Sequence, residues 1–131
     1  MERTFSHLDA QGNVTMVDVG DKIPSKRVAI AEAVVELAPA TLELLKKSAL
    51  PKGDVLACAK IGGIMAAKRA SQLIPLCHSL NLSYADIRFE VRDMPPQVRI
   101  EAEARTVGNT GVEMEAIVAA QSAAAIIYDM C

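Results

Sequence analysis

Residues 82–107 read LSYADIRFEVRDMPPQVRIEAEARTV. Apolar and polar side chains alternate on both sides of Met94–Pro95–Pro96, over 82–93 and again over 97–107. Alternation with a period of two is typical of strands that bury one face, and the prolines between them favour a turn. The stretch therefore predicts an antiparallel hairpin, whose apolar face must be covered by other elements.

The segments before this hairpin predict two more strands and a helix. MVDVG at 16–20 is a predicted strand, and AEAVVELA at 31–38 is a second one. ATLELLKKSAL at 40–50 has apolar residues at helical spacing. A turn is predicted at 11–13, within a flexible arm that spans residues 1–14.

Two longer helices flank the hairpin in sequence. Asp54 is the candidate N-cap of a helix over 55–73, which Pro75 terminates. Thr110 is the candidate N-cap of a last helix from about Val112 to the chain end, with Glu113 as its capping-box partner. The resulting order β-β-α-α-β-β-α indicates an α+β fold, an antiparallel sheet with helices packed on one face.

The composition indicates one domain with a core of small side chains. The 131 residues are 51% hydrophobic but only 3% aromatic, so Ala, Val, Ile, Leu and Met must fill the core. A net charge of -2 provides no global basic field for nucleic acid. Three cysteines without a CxxC motif disfavour a disulfide framework or a structural zinc site and suit a reducing cytoplasm. Neither a signal peptide nor a membrane span is expected.

Several polar residues have both a structural and a functional interpretation. Lys68 lies at a helix end, where it either compensates the helix dipole or contacts a phosphate. Lys52 belongs either to a plain turn or to a loop that presents a cation to an anion. His78, just after Pro75, either satisfies a buried hydrogen bond or acts as an acid or base. Metal ligation is disfavoured because the other histidine, His7, lies in the arm.

The last helix separates two acidic residues. Glu115 and Asp129 are fourteen residues apart, so they share a helix face but lie about 21 Å apart along the axis. That separation excludes a paired acid/base dyad, which needs about 5–10 Å. They contact opposite ends of an extended ligand or belong to two pockets. The small residues between them allow close approach of a second surface, which predicts an obligate oligomer with sites at its interfaces.

A set of short motifs resembles a known family. MVDVG is followed in order by KGDV at 52–55, AAKR at 66–69, LIPLCH at 73–78, and TGVEMEA and YDMC within 110–131. The set resembles the molybdenum cofactor biosynthesis protein C family, the cyclic pyranopterin monophosphate synthases. The resemblance implies a ferredoxin-like α+β fold and a homohexamer, a trimer of dimers, with pockets at subunit interfaces.

The same resemblance implies a reaction and its residues. The triphosphate substrate, a cyclised guanosine triphosphate made by a radical enzyme, is rearranged to cyclic pyranopterin monophosphate with release of diphosphate. No resident cofactor or metal ligand is implied, although triphosphates often bring their own Mg²⁺. The implied catalytic residues are Lys52, His78 and Asp129. The implied substrate-binding residues are Asp18, Arg27, Lys68, Leu76, Cys77, His78, Glu113, Met114 and Glu115.

The sequence also departs from the family pattern. Ser79 replaces a usual Pro, Gly20 a usual Ser, and Asn109 a usual basic residue or Gln. The family normally continues past YDMC with a catalytic lysine, whereas this sequence ends at Cys131. The alternative prediction is therefore a catalytically impaired paralogue that binds a pterin or nucleotide. A third is a ferredoxin-like interaction domain without a ligand.

Overall fold

A computed structural model describes residues 5–131 of the chain. Three strands and four helices follow one another in the order β-α-α-α-β-β-α. The strands are β1 (Ser25–Glu36), β2 (Tyr84–Asp93) and β3 (Pro96–Gly108). The helices are α1 (Pro39–Lys46), α2 (Val55–Ala67), α3 (Ala70–Leu73) and α4 (Glu113–Met130). The predicted α+β class is confirmed.

The sheet has the strand order β1-β3-β2, and all neighbours are antiparallel. The predicted hairpin is present as β2 and β3, with Asp93 opposite Pro96 at its turn. Ala102 lies opposite both Ala31 and Ile87, which sets the register across all three strands. Alternate β3 side chains point into the core, as the period of two predicts.

Helices α2 and α4 cover the apolar face of the sheet and pack against each other. No aromatic side chain is fully buried among residues 5–131, and α4 contributes Ala119, Ala120 and Ala123 to the core. On α2, Gly63 lies so close to α4 that an added Cβ would be 3.1 Å from the Ala119 carbonyl oxygen. The small residues of α4 therefore allow a close approach by α2 of the same chain. The sequence analysis had used the same residues to predict an oligomer interface.

Substitution of Gly63 tests this packing. Gly63→Ala would bring a methyl group against both the Ile87 side chain and the Ala119 carbonyl. We expect the free energy of unfolding to fall by about 1–3 kcal/mol, because overpacking outweighs the helix propensity gained. Gly62→Ala is the matched control, since its methyl group would meet only the end of the Ile126 side chain. Equal unfolding midpoints for the two variants in urea would contradict the packing argument.

The predicted strand at 16–20 is wrong. Residues 16–20 are outside every strand, and two backbone carbonyls there accept hydrogen bonds from side chains instead of a neighbouring strand. The side chain of Asp18 turns the chain by accepting from the Gly20 N–H at 2.9 Å. The next strand, β1, begins at Ser25 rather than at the predicted residue 31. The predicted order therefore loses its first strand.

Three helix boundaries also differ from prediction. Helix α1 ends at Lys46, before the predicted residue 50. The predicted helix over 55–73 is divided near its C-terminal end, where the chain tightens. The Arg69 N–H donates to the Ala66 carbonyl at 3.0 Å, and Arg69 leaves helical geometry. The predicted cap at Asp54 is confirmed by its hydrogen bond from the Ala57 N–H at 3.1 Å. The predicted cap at Thr110 is wrong, since Val112 occupies that position without a side-chain cap.

Candidate functional site

The N-terminal end of α4 and the loop after α3 enclose a cavity of about 280 Å³. This cavity, here called the ring pocket, contains six of the residues predicted to bind substrate. It is lined by His7, Leu76, Cys77, His78, Thr110, Gly111, Glu113, Met114 and Glu115. The two motifs LIPLCH and TGVEME, more than thirty residues apart in sequence, therefore meet at one place.

The backbone after α3 positions His78. The Cys77 N–H donates to the Ile74 carbonyl at 3.2 Å, which closes a turn around Pro75. Nε2 of His78 lies 2.5 Å from the carbonyl oxygen of Val17. A carbonyl oxygen only accepts, so this nitrogen carries the proton and donates. Nδ1 is then the nitrogen through which the neutral ring can accept a proton.

A buried carboxyl and a thiol form the floor of the ring pocket. Glu115 is 3% exposed, and the Cys77 Sγ donates to its Oε1 at 3.7 Å. Burial raises the pKa of Glu115 above its ordinary value. Burial, with the nearby Glu115 charge, raises the pKa of the Cys77 thiol to about 11. Cys77 is therefore a neutral donor near pH 7 rather than a nucleophile, and Glu115 is suited to hold a proton.

The raised pKa of Glu115 has a consequence for stability. The folded chain binds this proton more tightly than the unfolded chain does. The free energy of unfolding therefore falls as the pH rises from the ordinary pKa of the carboxyl through its raised pKa in the folded chain. Glu115→Gln removes that cost. We expect its Tm to exceed the wild-type Tm by roughly 2–4 °C at about pH 8, with a smaller difference at about pH 5. Turnover should fall, because the site loses its buried acid.

Glu113→Gln is the matched control for this prediction, because Glu113 lies on the same helix turn but is exposed. Its Tm should differ from the wild-type Tm much less than that of Glu115→Gln does, because the Glu113 charge is only the smallest cause of the raised pKa of Glu115. If the Tm difference between Glu115→Gln and the wild type were the same at both pH values, burial of the Glu115 charge would not be its cause.

The C-terminal end of α4 carries a second group of predicted residues, Lys52 and Asp129. The Lys52 Nζ donates to the Asp129 carbonyl oxygen at 2.8 Å and to its Oδ1 at 3.3 Å. Gly53, with φ of +103°, lets the chain turn directly after Lys52. Both side chains remain more than half exposed, so each is accessible to a ligand. This group is called the Lys–Asp pair below.

The ring pocket and the Lys–Asp pair lie at opposite ends of α4. Glu115 and Asp129 are both within this unbroken helix, so about 21 Å of helix axis separates them. The two groups cannot act on neighbouring atoms within one chain.

Three other predicted residues lie outside both groups. Asp18 shapes the turn to Gly20. The Nε of Arg27 donates to the Gly108 carbonyl at 3.2 Å, and Arg27 lines a separate cavity of about 380 Å³ beside the sheet. Lys68 is exposed beside α2 and lines a third cavity of about 310 Å³. Within this chain, these residues are not assembled with either group.

Two features are absent from the residues that the structure describes. Over residues 5–131, no three His, Cys, Asp or Glu side chains are grouped so that they could hold a metal ion. Over the same residues, no helix has the length and apolar character needed to cross a membrane. All three cysteines are free thiols.

Comparison with known proteins covers most of the chain. Residues 16–131 match the family described as the MoaC family. The chain belongs to the MoaC family. A relative from Desulfovibrio desulfuricans, named cyclic pyranopterin monophosphate synthase, is 79% identical over 131 residues, which cover 100% of this chain and 80% of the relative. The relative of the same name from Nitratidesulfovibrio vulgaris is 68% identical over 97% of this chain and 79% of its own length.

A more distant MoaC relative extends the same pattern. The protein from Chloroflexus aggregans, also named cyclic pyranopterin monophosphate synthase, is 55% identical over 97% of this chain and 77% of its own length. Identity over nearly the whole chain confirms the family that the short motifs resemble.

Three of the nine residues that line the ring pocket were missing from the set predicted from the sequence, namely Thr110, Gly111 and His7. His7 lines the ring pocket, although the sequence places it in a flexible arm. The signal was the turn predicted at 11–13, where Gly12 has φ of +82°. That turn reverses the chain and pairs residues 7–8 with 14–15. His7 therefore lies beside residues 14–15, which directly precede the segment bonded by His78 and Asn109.

Proposed function

We infer that this chain is a cyclic pyranopterin monophosphate synthase of molybdenum cofactor biosynthesis. It converts 3′,8-cyclo-7,8-dihydroguanosine triphosphate to cyclic pyranopterin monophosphate and releases diphosphate. The observation that carries this conclusion is the pocket that joins LIPLCH to TGVEME around a buried acid, in a chain of the MoaC family.

The reaction needs proton transfer and charge stabilisation. Closing the cyclic phosphate forms a bond between a substrate hydroxyl and the α-phosphorus and breaks the bond from that phosphorus to the leaving diphosphate. The hydroxyl must lose a proton, and the diphosphate leaves with additional negative charge. Opening the purine-derived ring requires further proton transfers, so at least two acid/base groups are needed.

We assign these tasks to the two groups on α4. The Lys52 ammonium is positioned to stabilise the charge of the leaving diphosphate, and Asp129 beside it to accept the hydroxyl proton. Glu115 and the Nδ1 of His78 are positioned to exchange protons with the ring. Leu76, Cys77, Glu113 and Met114 complete the walls that contact the ring.

We further propose that each active site is shared between chains of a homohexamer, arranged as a trimer of dimers. The ring pocket of one chain would face the Lys–Asp pair of its neighbour. This arrangement removes the separation of about 21 Å along α4, because a symmetric interface pairs opposite ends of two identical helices. Arg27, Lys68 and Asp18 would join the site across the same interfaces, where the two cations would bind phosphate.

The remaining proposals concern the surroundings of the enzyme. The substrate would come from a radical enzyme, and the reaction would take place in the cytoplasm. No resident cofactor is proposed, since a divalent ion would arrive with the triphosphate. Nucleic acid and membranes are not proposed as partners.

Incubation with the cyclised guanosine triphosphate tests the function. Cyclic pyranopterin monophosphate and diphosphate should appear in equal amounts, measured by chromatography and by a coupled diphosphate assay. Binding without product would favour the catalytically impaired paralogue. Neither binding nor product would favour an interaction domain.

A further inference from the structure

The segment 14–20, here called the strap, is fixed across the site by two side chains. Nε2 of His78 donates to the Val17 carbonyl at 2.5 Å, and Nδ2 of Asn109 donates to the Val19 carbonyl at 2.9 Å. His78 and Asn109 come from the loops on the two sides of the hairpin strands. Both bonds reach backbone atoms, so they fix the path of the strap regardless of its side chains.

The strap in turn fixes His7. The Thr15 N–H donates to the His7 carbonyl at 2.8 Å, and the Asp9 N–H donates to the Asn13 carbonyl at 2.8 Å. The Asp9 carboxylate closes the turn between them by accepting from the backbone N–H of Gln11 and of Asn13. Thr15 lies only two residues from Val17. The position of His7 is therefore coupled to the bonds that His78 and Asn109 make.

The chemistry of the ring pocket gives His7 a specific task. Within the described part of the chain, residues 5–131, the nine residues that line it include two carboxyls and a thiol, but neither lysine nor arginine. Such a lining disfavours phosphate and suits a ring with hydrogen-bonding edges. A guanine-derived ring presents a carbonyl oxygen, which needs a donor. The Nε2 of His78 is already bonded to the strap, whereas His7 is exposed and lines the cavity.

We propose that His7 contacts the purine-derived ring of the substrate, and that Asn109 is a positioning residue that fixes the strap so that His7 can do so. This proposal rests on the proposed function. It concerns the ring end of the substrate and leaves the phosphate end to the Lys–Asp pair.

Substitution of His7 tests the contact in the wild-type assembly. His7→Ala should lower kcat/KM about 10- to 100-fold, mainly through KM, because it removes a hydrogen bond to the ring. His7→Gln keeps a donor and should recover part of the loss. Inhibition by inorganic diphosphate should be unchanged in both, since diphosphate has no ring. Gln11→Ala is the matched control, because Gln11 lies on the same turn outside the pocket.

Asn109 requires a measurement besides activity. Asn109→Asp keeps the size of the side chain but cannot donate to the Val19 carbonyl in its ionised form. Amide hydrogen exchange over residues 15–20 should become faster in Asn109→Asp and stay at the wild-type rate in His7→Ala. In the double variant, kcat/KM should be close to that of His7→Ala alone, because Asn109 acts through His7.

Three outcomes would overturn the proposal. If His7→Ala and Gln11→Ala had the same kcat/KM, the contact between His7 and the substrate ring would be excluded. Unchanged exchange in Asn109→Asp would exclude the positioning role, and additive losses in the double variant would exclude the coupling. Wild-type protein that makes no product would instead contradict the proposed function, and the exchange experiment would still test the strap.

Discussion

Lys52→Ala is expected to lower kcat/KM by about 100- to 1,000-fold while the fold stays intact. The Lys52 ammonium lies next to Asp129 at the exposed end of α4, where it can meet a phosphate without moving the backbone. Its removal leaves the developing charge of the diphosphate uncompensated in a site that the proposed subunit interface would partly shield from water. The Tm should stay close to the wild-type Tm, because an exposed ion pair contributes little to stability.

Lys47→Ala is the matched control for this loss. Lys47 is also an exposed lysine, five residues before Lys52 in the sequence, and its backbone caps α1. Its removal changes the net charge by the same amount without touching the Lys–Asp pair. If steady-state kinetics give the same kcat/KM for Lys52→Ala, Lys47→Ala and wild type, Lys52 has no part in the reaction.

The sequence predicted the parts of the fold that follow from local physics. The hairpin of β2 and β3 was predictable because polar and apolar residues alternate over most of 82–93 and 97–107, on both sides of Pro95–Pro96. The cap at Asp54 was predictable because a carboxylate before a helix accepts a backbone hydrogen bond. The separation of Glu115 from Asp129 followed from the rise of an unbroken helix.

The segment 16–20 was mispredicted because its partners are distant in sequence. MVDVG has the alternation of a strand, yet its carbonyls bond to the side chains of His78 and Asn109, which are about 60 and 90 residues away. Nothing in the local pattern distinguishes such a strap from an edge strand. The division between α2 and α3 was equally hidden, since no glycine or proline occurs at residues 66–70.

The candidate site was predictable from its sequence motifs, which resemble those of a known family, and not from the spacing of its residues along the chain. The resemblance selected six residues that the ring pocket brings together, from Leu76 to Glu115. It also selected Lys52 and Asp129, which contact each other. The burial of Glu115 depends on the assembled fold. The turn predicted at 11–13 indicated a chain reversal, but it did not indicate that His7 would line the ring pocket. The catalytic and binding roles of all these residues, like those of Asp18, Arg27 and Lys68, stay predictions.

Mixing two inactive variants is expected to restore activity. Asp129→Asn removes the acid of the Lys–Asp pair, and His78→Ala removes an imidazole of the ring pocket, so each pure protein should be nearly inactive. If each site takes its ring pocket from one chain and its Lys–Asp pair from the neighbour, one of the two sites in a mixed dimer is intact. Random pairing makes half of the dimers mixed, which predicts about a quarter of wild-type activity.

Lys52→Ala mixed with Asp129→Asn is the control, because both changes fall in the same group and no pairing leaves an intact site. The decisive measurement is the rate of diphosphate release after Asp129→Asn and His78→Ala proteins are dissociated mildly, mixed in equal amounts and reassembled. Recovery to about a quarter of the wild-type rate, with none in the control mixture, is the predicted result. A mixture as inactive as the control, despite confirmed exchange of chains, would contradict a site shared between subunits.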